Sequence, residues 1–330
     1  ANTFILILNM AFVNTTTTTT TTISTLSETE NLVIFKRLIE GYLLSCVCII
    51  GLIGNSFTCI SILTNRTRRI SPTDIYICGL AFISIFVLAG FLLTHGIRYT
   101  FPEYGEIIHQ YIIIRVFPAH VTCILIQIYL TTAISIDRCL LICCWRTVSY
   151  RRWRTSQRVI CIIFSITLFC IIYCSPFWFE YVVSDEGGIR LSAFGSNKLF
   201  RLLIRQYLYF IFIFLLPMSS IIICTLSIVR TLYGLTKDKY KARTSQINRK
   251  KQSRKINTLL LSIMISFLAT QFPYFIFNVI YALQGPSLME NIRARQYLVI
   301  NNLLSTMNAS TTFVLYALFG TKRTSLARAV

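Results

Sequence analysis

Seven stretches of this chain are long and apolar enough to cross a bilayer, and no other feature limits its fold as severely. A helix needs about 20 apolar residues to span roughly 30 Å of hydrocarbon. The stretches run over 34–63, 73–98, 109–142, 155–180, 201–232, 256–283 and 296–319. Inside hydrocarbon the backbone must satisfy its own hydrogen bonds, so segments of this kind are helices. The predicted fold class is an all-α membrane protein, a seven-helix transmembrane bundle. Only 13 % of residues are charged and the mean hydropathy is +0.64, whereas a soluble domain carries about 25 % charge.

The charges sort by connection. Arg66, Arg68 and Arg69 occupy the first, and Arg146, Arg151, Arg152 and Arg154 the third. The fifth holds Lys237, Lys239, Lys241, Arg243, Arg249, Lys250, Lys251, Arg254 and Lys255, and Lys322, Arg323 and Arg328 follow the last stretch. Acids favour the alternate connections, with Glu103, Glu106, Asp185, Glu186 and Glu290. Cationic loops stay in the cytosol, which predicts an outside amino terminus, a cytosolic carboxyl terminus and a multi-pass plasma-membrane protein. The same pattern explains the net charge of +20 without nucleic acid, because no aromatic-interleaved basic face or zinc spacing accompanies it. His95, His109 and His120 show no metal-ligand spacing and no nucleophile motif stands out, so neither an enzyme, a metal nor a cofactor is expected. A seven-helix transporter would want ionisable groups near mid-membrane or inverted repeats. The central turns hold no acid, Glu40 and Asp137 lying toward opposite edges, and no repeat is visible.

Residues 1–33 are a different material. The threonine run 15–22 buries nothing and is expected to be disordered. Asn14-Thr15-Thr16 is a glycosylation sequon on the predicted outer side. Asn65-Arg66-Thr67 and Asn308-Ala309-Ser310 also match, but one is predicted cytosolic and the other intramembrane. The apolar stretch 3–13 is short and lacks a cationic lead, a poor signal-peptide core. The chain begins at Ala1 rather than Met and stops at residue 330, as expected of a sequence incomplete at one or both ends. Three units are predicted: the threonine-rich segment 1–33, a transmembrane domain 34–319 and a cytosolic tail 320–330.

Several residues stand out within the stretches. Asp137-Arg138 places two charges at the cytosolic end of the third, where charge is costly and usually functional. Pro217 and Pro273 interrupt the fifth and sixth, each removing one backbone hydrogen bond and bending its helix. Gly54-Asn55 lies in the first, and Asn308 precedes Thr312-Phe313 and Tyr316 in the seventh. Taken together these positions resemble rhodopsin-like G-protein-coupled receptors. Cys139 departs from the usual tyrosine after Asp-Arg, Ser84 from the usual span-two aspartate, and Thr312-Phe313 from the usual Asn-Pro. Gln127 stands where a small hydroxyl residue is common. A finer resemblance, to invertebrate FMRFamide-type neuropeptide receptors, rests on Pro176-Phe177-Trp178-Phe179-Glu180 and on Gln271-Phe272-Pro273.

The resemblance implies a mechanism and site residues. Asp137, Arg138, Tyr316, Pro217 and Pro273 would form the activation switch that engages a heterotrimeric G protein. The basic segment 230–255 would attract G protein and anionic lipid. Most such receptors tie the loop between spans four and five to span three by a disulfide. Here residues 180–198 contain no cysteine and the expected partner falls near Ile113, so either the receptor is divergent or packing alone holds the outer vestibule. Pocket candidates are His120, Glu180, Gln271, Tyr274, Asn278, Asn301 and Asn302; Gln271, Tyr274 and Asn278 share a helix face by their spacing. An acidic rim (Glu40, Glu106, Glu180, Asp185, Glu186, Glu290) suits a cationic, aromatic peptide end. Glu180 is expected to pair with a peptide guanidinium, and the aromatic end to enter among Phe179, Tyr274 and Phe277. The rival reading is a divergent nematode-type chemosensory receptor, with the same mechanism and a small-molecule ligand.

Overall fold

The computed structural model describes residues 23–64, 70–143, 154–183, 189–238 and 247–320. Helix α1 runs through Ile23–Lys36, a π-helical stretch Arg37–Leu43 and Leu44–Leu63. Helix α2 covers Pro72–Thr100, with π-helical turns at Leu92–Gly96. Helix α3 is Pro102–Cys143, and α4 is Ser156–Cys174, closed by a 3-10 turn at Ser175–Phe179. A short antiparallel hairpin follows, β1 Tyr181–Val183 and β2 Ile189–Leu191, with Val182 opposite Arg190. Helix α5 opens with π-helical Phe200–Leu208 and Phe210–Leu215 and continues as Leu216–Asp238. Helices α6, Ile247–Gln284, and α7, Ile292–Gly320, complete the bundle. Helices α1 to α6 each contain a segment long and apolar enough to cross a membrane. The 29-residue α7 is the seventh.

Helices overrun the predicted stretches because hydrocarbon thickness limits an apolar segment, not the hydrogen bonding of a helix in water. Residues 23–33, expected to be disordered, are helical, and α6 begins at Ile247 inside the basic connection. The threonine run 15–22, Asn14 and residues 321–330 lie outside the described residues. The ends are set by local chemistry. Ser71 and Asp74 form a reciprocal capping box at the start of α2, with Pro72 in the first turn. Thr155 caps α4 by accepting from the Arg158 amide.

The outer face of the bundle is apolar, and its interior combines an apolar core with buried polar side chains. Ile53, Phe57 and Phe164 are exposed, whereas Asn55, Ser84, Ser135 and Thr306 are fully buried. Small residues let helices approach. A Cβ at Gly54 would strike the Phe313 ring, and the neighbouring Asn55 Nδ2 donates to the Gly51 carbonyl at 2.9 Å and the Ala309 carbonyl at 3.1 Å. This explains the Gly-Asn dipeptide as the seam between α1 and α7. Helix α3 packs against α2, α4, α5 and α6. Its Tyr129 hydroxyl donates to the Phe212 carbonyl at 3.0 Å. Pro217 lies five residues on and has no N–H to complete that π-type bond, so Tyr129 replaces the missing donor.

Candidate functional site

A cavity of about 60 Å³ opens between α2, α3, α5, α6 and α7. Aromatic rings of Phe91, Phe117, Tyr209, Phe214 and Tyr274 form much of its wall. Beside the two tyrosines, its polar residues are His95, His120, Gln271, Asn302 and Ser305. Four of the seven sequence-predicted pocket residues therefore meet here, His120, Gln271, Tyr274 and Asn302.

His120 is the anomaly. Its side chain is buried, and neither ring nitrogen has a hydrogen-bond partner among the described residues. The Val87 carbonyl is near but outside hydrogen-bond geometry. The ring packs edge-on against Phe91, with centroids 4.6 Å apart. Gly90 makes that placement possible, since any Cβ there would collide with the imidazole. A buried polar group left unsatisfied costs about 1–3 kcal/mol, and this ring borders the cavity.

His95 was missed by the sequence reading, although a histidine in an apolar helix carries the same cost as His120. The Thr94 hydroxyl donates to the Gly90 carbonyl at 2.7 Å and lies 2.7 Å from His95 Nδ1. A hydroxyl has one proton, already committed, so Nδ1–H must be the donor in the second contact. The neutral ring of His95, a cavity-wall residue, then keeps Nε2 as an acceptor. Gln271 Nε2 reaches Ser305 Oγ at 3.4 Å, and Asn302 Nδ2 donates to Glu40 Oε1 at 2.7 Å.

The remaining candidates fall elsewhere. Asn278 donates to the Tyr274 carbonyl of its own helix at 2.7 Å. Asn301 is 1 % exposed, with both amide atoms unpartnered among the described residues, but is not part of the cavity wall. Glu180 is corrected outright: Arg205 Nε donates to its two carboxylate oxygens at 3.1 and 2.9 Å, and Arg205 Nη2 to Oε2 as well. Its charge is consumed within the protein, so it does not await a ligand. Phe179 is 67 % exposed, and Phe277 stacks on Tyr297 in a separate cluster, so only Tyr274 of the expected aromatic triad reaches the cavity. Of the expected acidic rim, Glu180 is paired with Arg205 and Glu290 is exposed. Glu40 is buried and bonded to Asn302, and Glu106, Asp185 and Glu186 carry no described side chains. Outside the spans, Tyr181 lies beside Glu180; burial first, then that carboxylate, push its hydroxyl above the usual tyrosine range.

At the other end of α3, Asp137 and Arg138 are both buried. Arg138 Nη2 lies 3.2 Å from Asp137 Oδ2 and donates to Thr73 Oγ1 at 2.6 Å. Arg154, at the entrance to α4, donates to Asp137 Oδ1 at 2.6 Å and to the same Thr73 hydroxyl at 3.1 Å. Two guanidinium groups thus share one carboxylate and one hydroxyl. Tyr316 packs against the main core cluster from α7. Pro217 and Pro273 lie within α5 and α6, joined by Pro118 inside α3, which the sequence reading passed over.

Midway between the two ends, Gln127 Nε2 donates to Ser84 Oγ at 3.0 Å, and Ser84 Oγ donates to the Leu80 carbonyl at 2.7 Å. Beside them is a cavity of about 10 Å³ bordered by Gln127, Thr131, Ser266, Asn308, Thr311 and Thr312. Space of that size suits a single water molecule. Its walls carry hydroxyls and amides but no carboxylate.

Known proteins share this organisation. The family described as 7 transmembrane receptor (rhodopsin family) matches residues 54–311. An FMRFamide receptor of Drosophila melanogaster is 23 % identical over 302 residues, covering 86 % of this chain and 52 % of the relative. Neuropeptide Y receptor type 1 of Xenopus laevis is 28 % identical over 261 residues, 71 % of this chain and 65 % of that one. Somatostatin receptor type 1 of Rattus norvegicus is 24 % identical over 260 residues, 78 % and 62 % respectively. The chain spans between half and two thirds of the length of these relatives.

Proposed function

The chain belongs to the rhodopsin family of seven-transmembrane receptors, and from that premise we propose that it is a receptor for a short peptide with an amidated carboxyl terminus. It is a multi-pass plasma-membrane protein of a family of receptors, not enzymes. The observation that carries the ligand class is the cavity's pair of histidines. His95 Nε2 accepts while His120 has an unused N–H, and a primary carboxamide brings one donor face and one acceptor face. Gln271 provides a further amide at the same depth, and the surrounding rings suit an aromatic side chain next to the terminus. The cavity holds roughly four waters' worth of space, enough for a terminal group and not for a whole peptide. The rest of the ligand would lie above, against the hairpin and the outer helix ends.

In this reading the hairpin end faces outward and the Asp137 end faces the cytosol. Agonist favours the conformation in which the cytosolic ends of α5 and α6 have moved outward, so binding shifts the population toward it. Arg138, released from Asp137 and Thr73, then helps frame the cleft that receives the G-protein α-subunit. The basic ends of α5 and α6 add attraction for G protein and anionic lipid.

The test is a calcium-flux screen of cells expressing the full chain with amidated peptides, their free-acid counterparts and small odorants. Amidated peptides should activate, the free acids should lose at least about tenfold in potency, and His120→Phe should erase that difference. A response confined to odorants would replace this reading with the chemosensory one, which the small cavity volume also favours.

A further inference from the structure

We propose that the Glu180–Arg205 ion pair is a non-covalent clasp that fixes the register of the hairpin connection between α4 and α5. That connection has no cysteine in residues 180–198, and Glu180 lies where three parts of it converge. Its side chain is held from α5: the Arg205 guanidinium grips both carboxylate oxygens, and both side chains are 1 % exposed. Its main chain is held from the far arm of the hairpin, because the Ser192 amide donates to the Glu180 carbonyl at 2.9 Å. The Ser192 hydroxyl donates to the adjacent Phe179 carbonyl and accepts from the Gly195 amide at 2.9 Å.

Shape closes the arrangement. The Arg205 guanidinium lies over the Phe177 ring, 4.2 Å from its centroid, so the cation that grips the carboxylate is also covered by an aromatic surface. A Cβ at Gly195 would strike the Glu180 carbonyl, so the chain after β2 can approach only through a glycine. The Phe194 and Phe200 rings, 4.5 Å apart, fasten the end of the connection to the start of α5. A helix-end charge without this role would be solvated. A bidentate arginine fixes distance and angle together, and this one joins Phe177, Glu180, β1 and α5 at a single point. Removing one partner leaves the other buried without its counter-charge, whereas an apolar pair of similar volume is well tolerated. Stability and register can therefore be separated.

The experiment uses the full chain, purified in detergent without ligand. Thermal unfolding is followed with a thiol-reactive dye, which reports on buried Cys48, Cys170 and Cys174, and amide exchange is measured at Ser192 and Gly195. Glu180→Gln and Arg205→Met should each lower the midpoint by at least about 5 °C and speed exchange at both amides at least tenfold. The double variant Glu180→Met/Arg205→Met should regain most of the midpoint yet keep the fast exchange, because packing returns without register. Reductant, removed before the dye is added, should leave the wild-type midpoint unchanged. Wild-type exchange in all variants, or in the double variant, would overturn the clasp. If neither single variant accumulates, the double decides alone: a folded protein with fast exchange supports it, and a double variant that also fails to fold overturns it.

Discussion

The two ends of the bundle each bury an arginine against an acid, and the two arrangements differ in stoichiometry. At the hairpin end one guanidinium meets one carboxylate, both 1 % exposed and covered by a phenylalanine ring. At the Asp137 end Arg138 and Arg154 divide a single carboxylate and a single hydroxyl, with side chains 7 % and 12 % exposed. A matched pair has no better alternative and resists change. A shared carboxylate divides its attraction between two cations, so the loss of either contact should cost less than breaking the matched pair.

Breaking the matched pair should have the largest effect. Arg205→Met is expected to cost about 3–5 kcal/mol of stability, measured by chemical denaturation in detergent; a loss near zero would remove the contrast between the ends. Arg138→Ala should abolish stimulated nucleotide exchange on a G protein while surface expression persists, and normal signalling would show that Arg138 plays no part in coupling. Asp137→Asn should raise basal signalling severalfold with a smaller stability loss than Arg205→Met, since Arg138 and Arg154 keep Thr73 and are less deeply buried than Arg205. Unchanged or reduced basal output would mean that the shared carboxylate does not restrain Arg138. The smallest effect should be that of sodium. With Gln127 bonded to Ser84 and no carboxylate around the central cavity, agonist affinity should be the same in sodium and in an impermeant organic cation. A strong sodium dependence would place a third charged site between the two ends.

The span count was legible because bilayer thickness is a hard external ruler. The Gln271–Tyr274 face was legible because helical spacing is local, and His120 because a histidine in an apolar helix is costly wherever it lies. What could not be read were partners set by tertiary packing. Glu180 looks like a charge at a helix end until α5 brings Arg205 to it across 25 residues. Asn278 shares the spacing of Gln271 and Tyr274, yet its amide is satisfied by its own helix. His95 acquires its acceptor face only through Thr94 and Gly90. Arg154 reads as one cation among several in a loop until the bundle folds it under Asp137.

The Tyr129 hydroxyl on the Phe212 carbonyl works as a removable pin. A proline-bent helix usually carries its own irregularity, but here the break in α5 is completed by an atom on α3. The energy of the bend thus depends on how α3 and α5 are placed, and sliding one past the other by a couple of ångströms would withdraw the pin and leave the Phe212 carbonyl bare. The cavity adjoins both helices near this point, with Ile128, one residue before Tyr129, and Ile213, one residue after Phe212, in its wall. An occupant that pushes these two residues apart would therefore act on the pin directly, converting a displacement at the ligand into a change of bend in α5 without any charged relay between them.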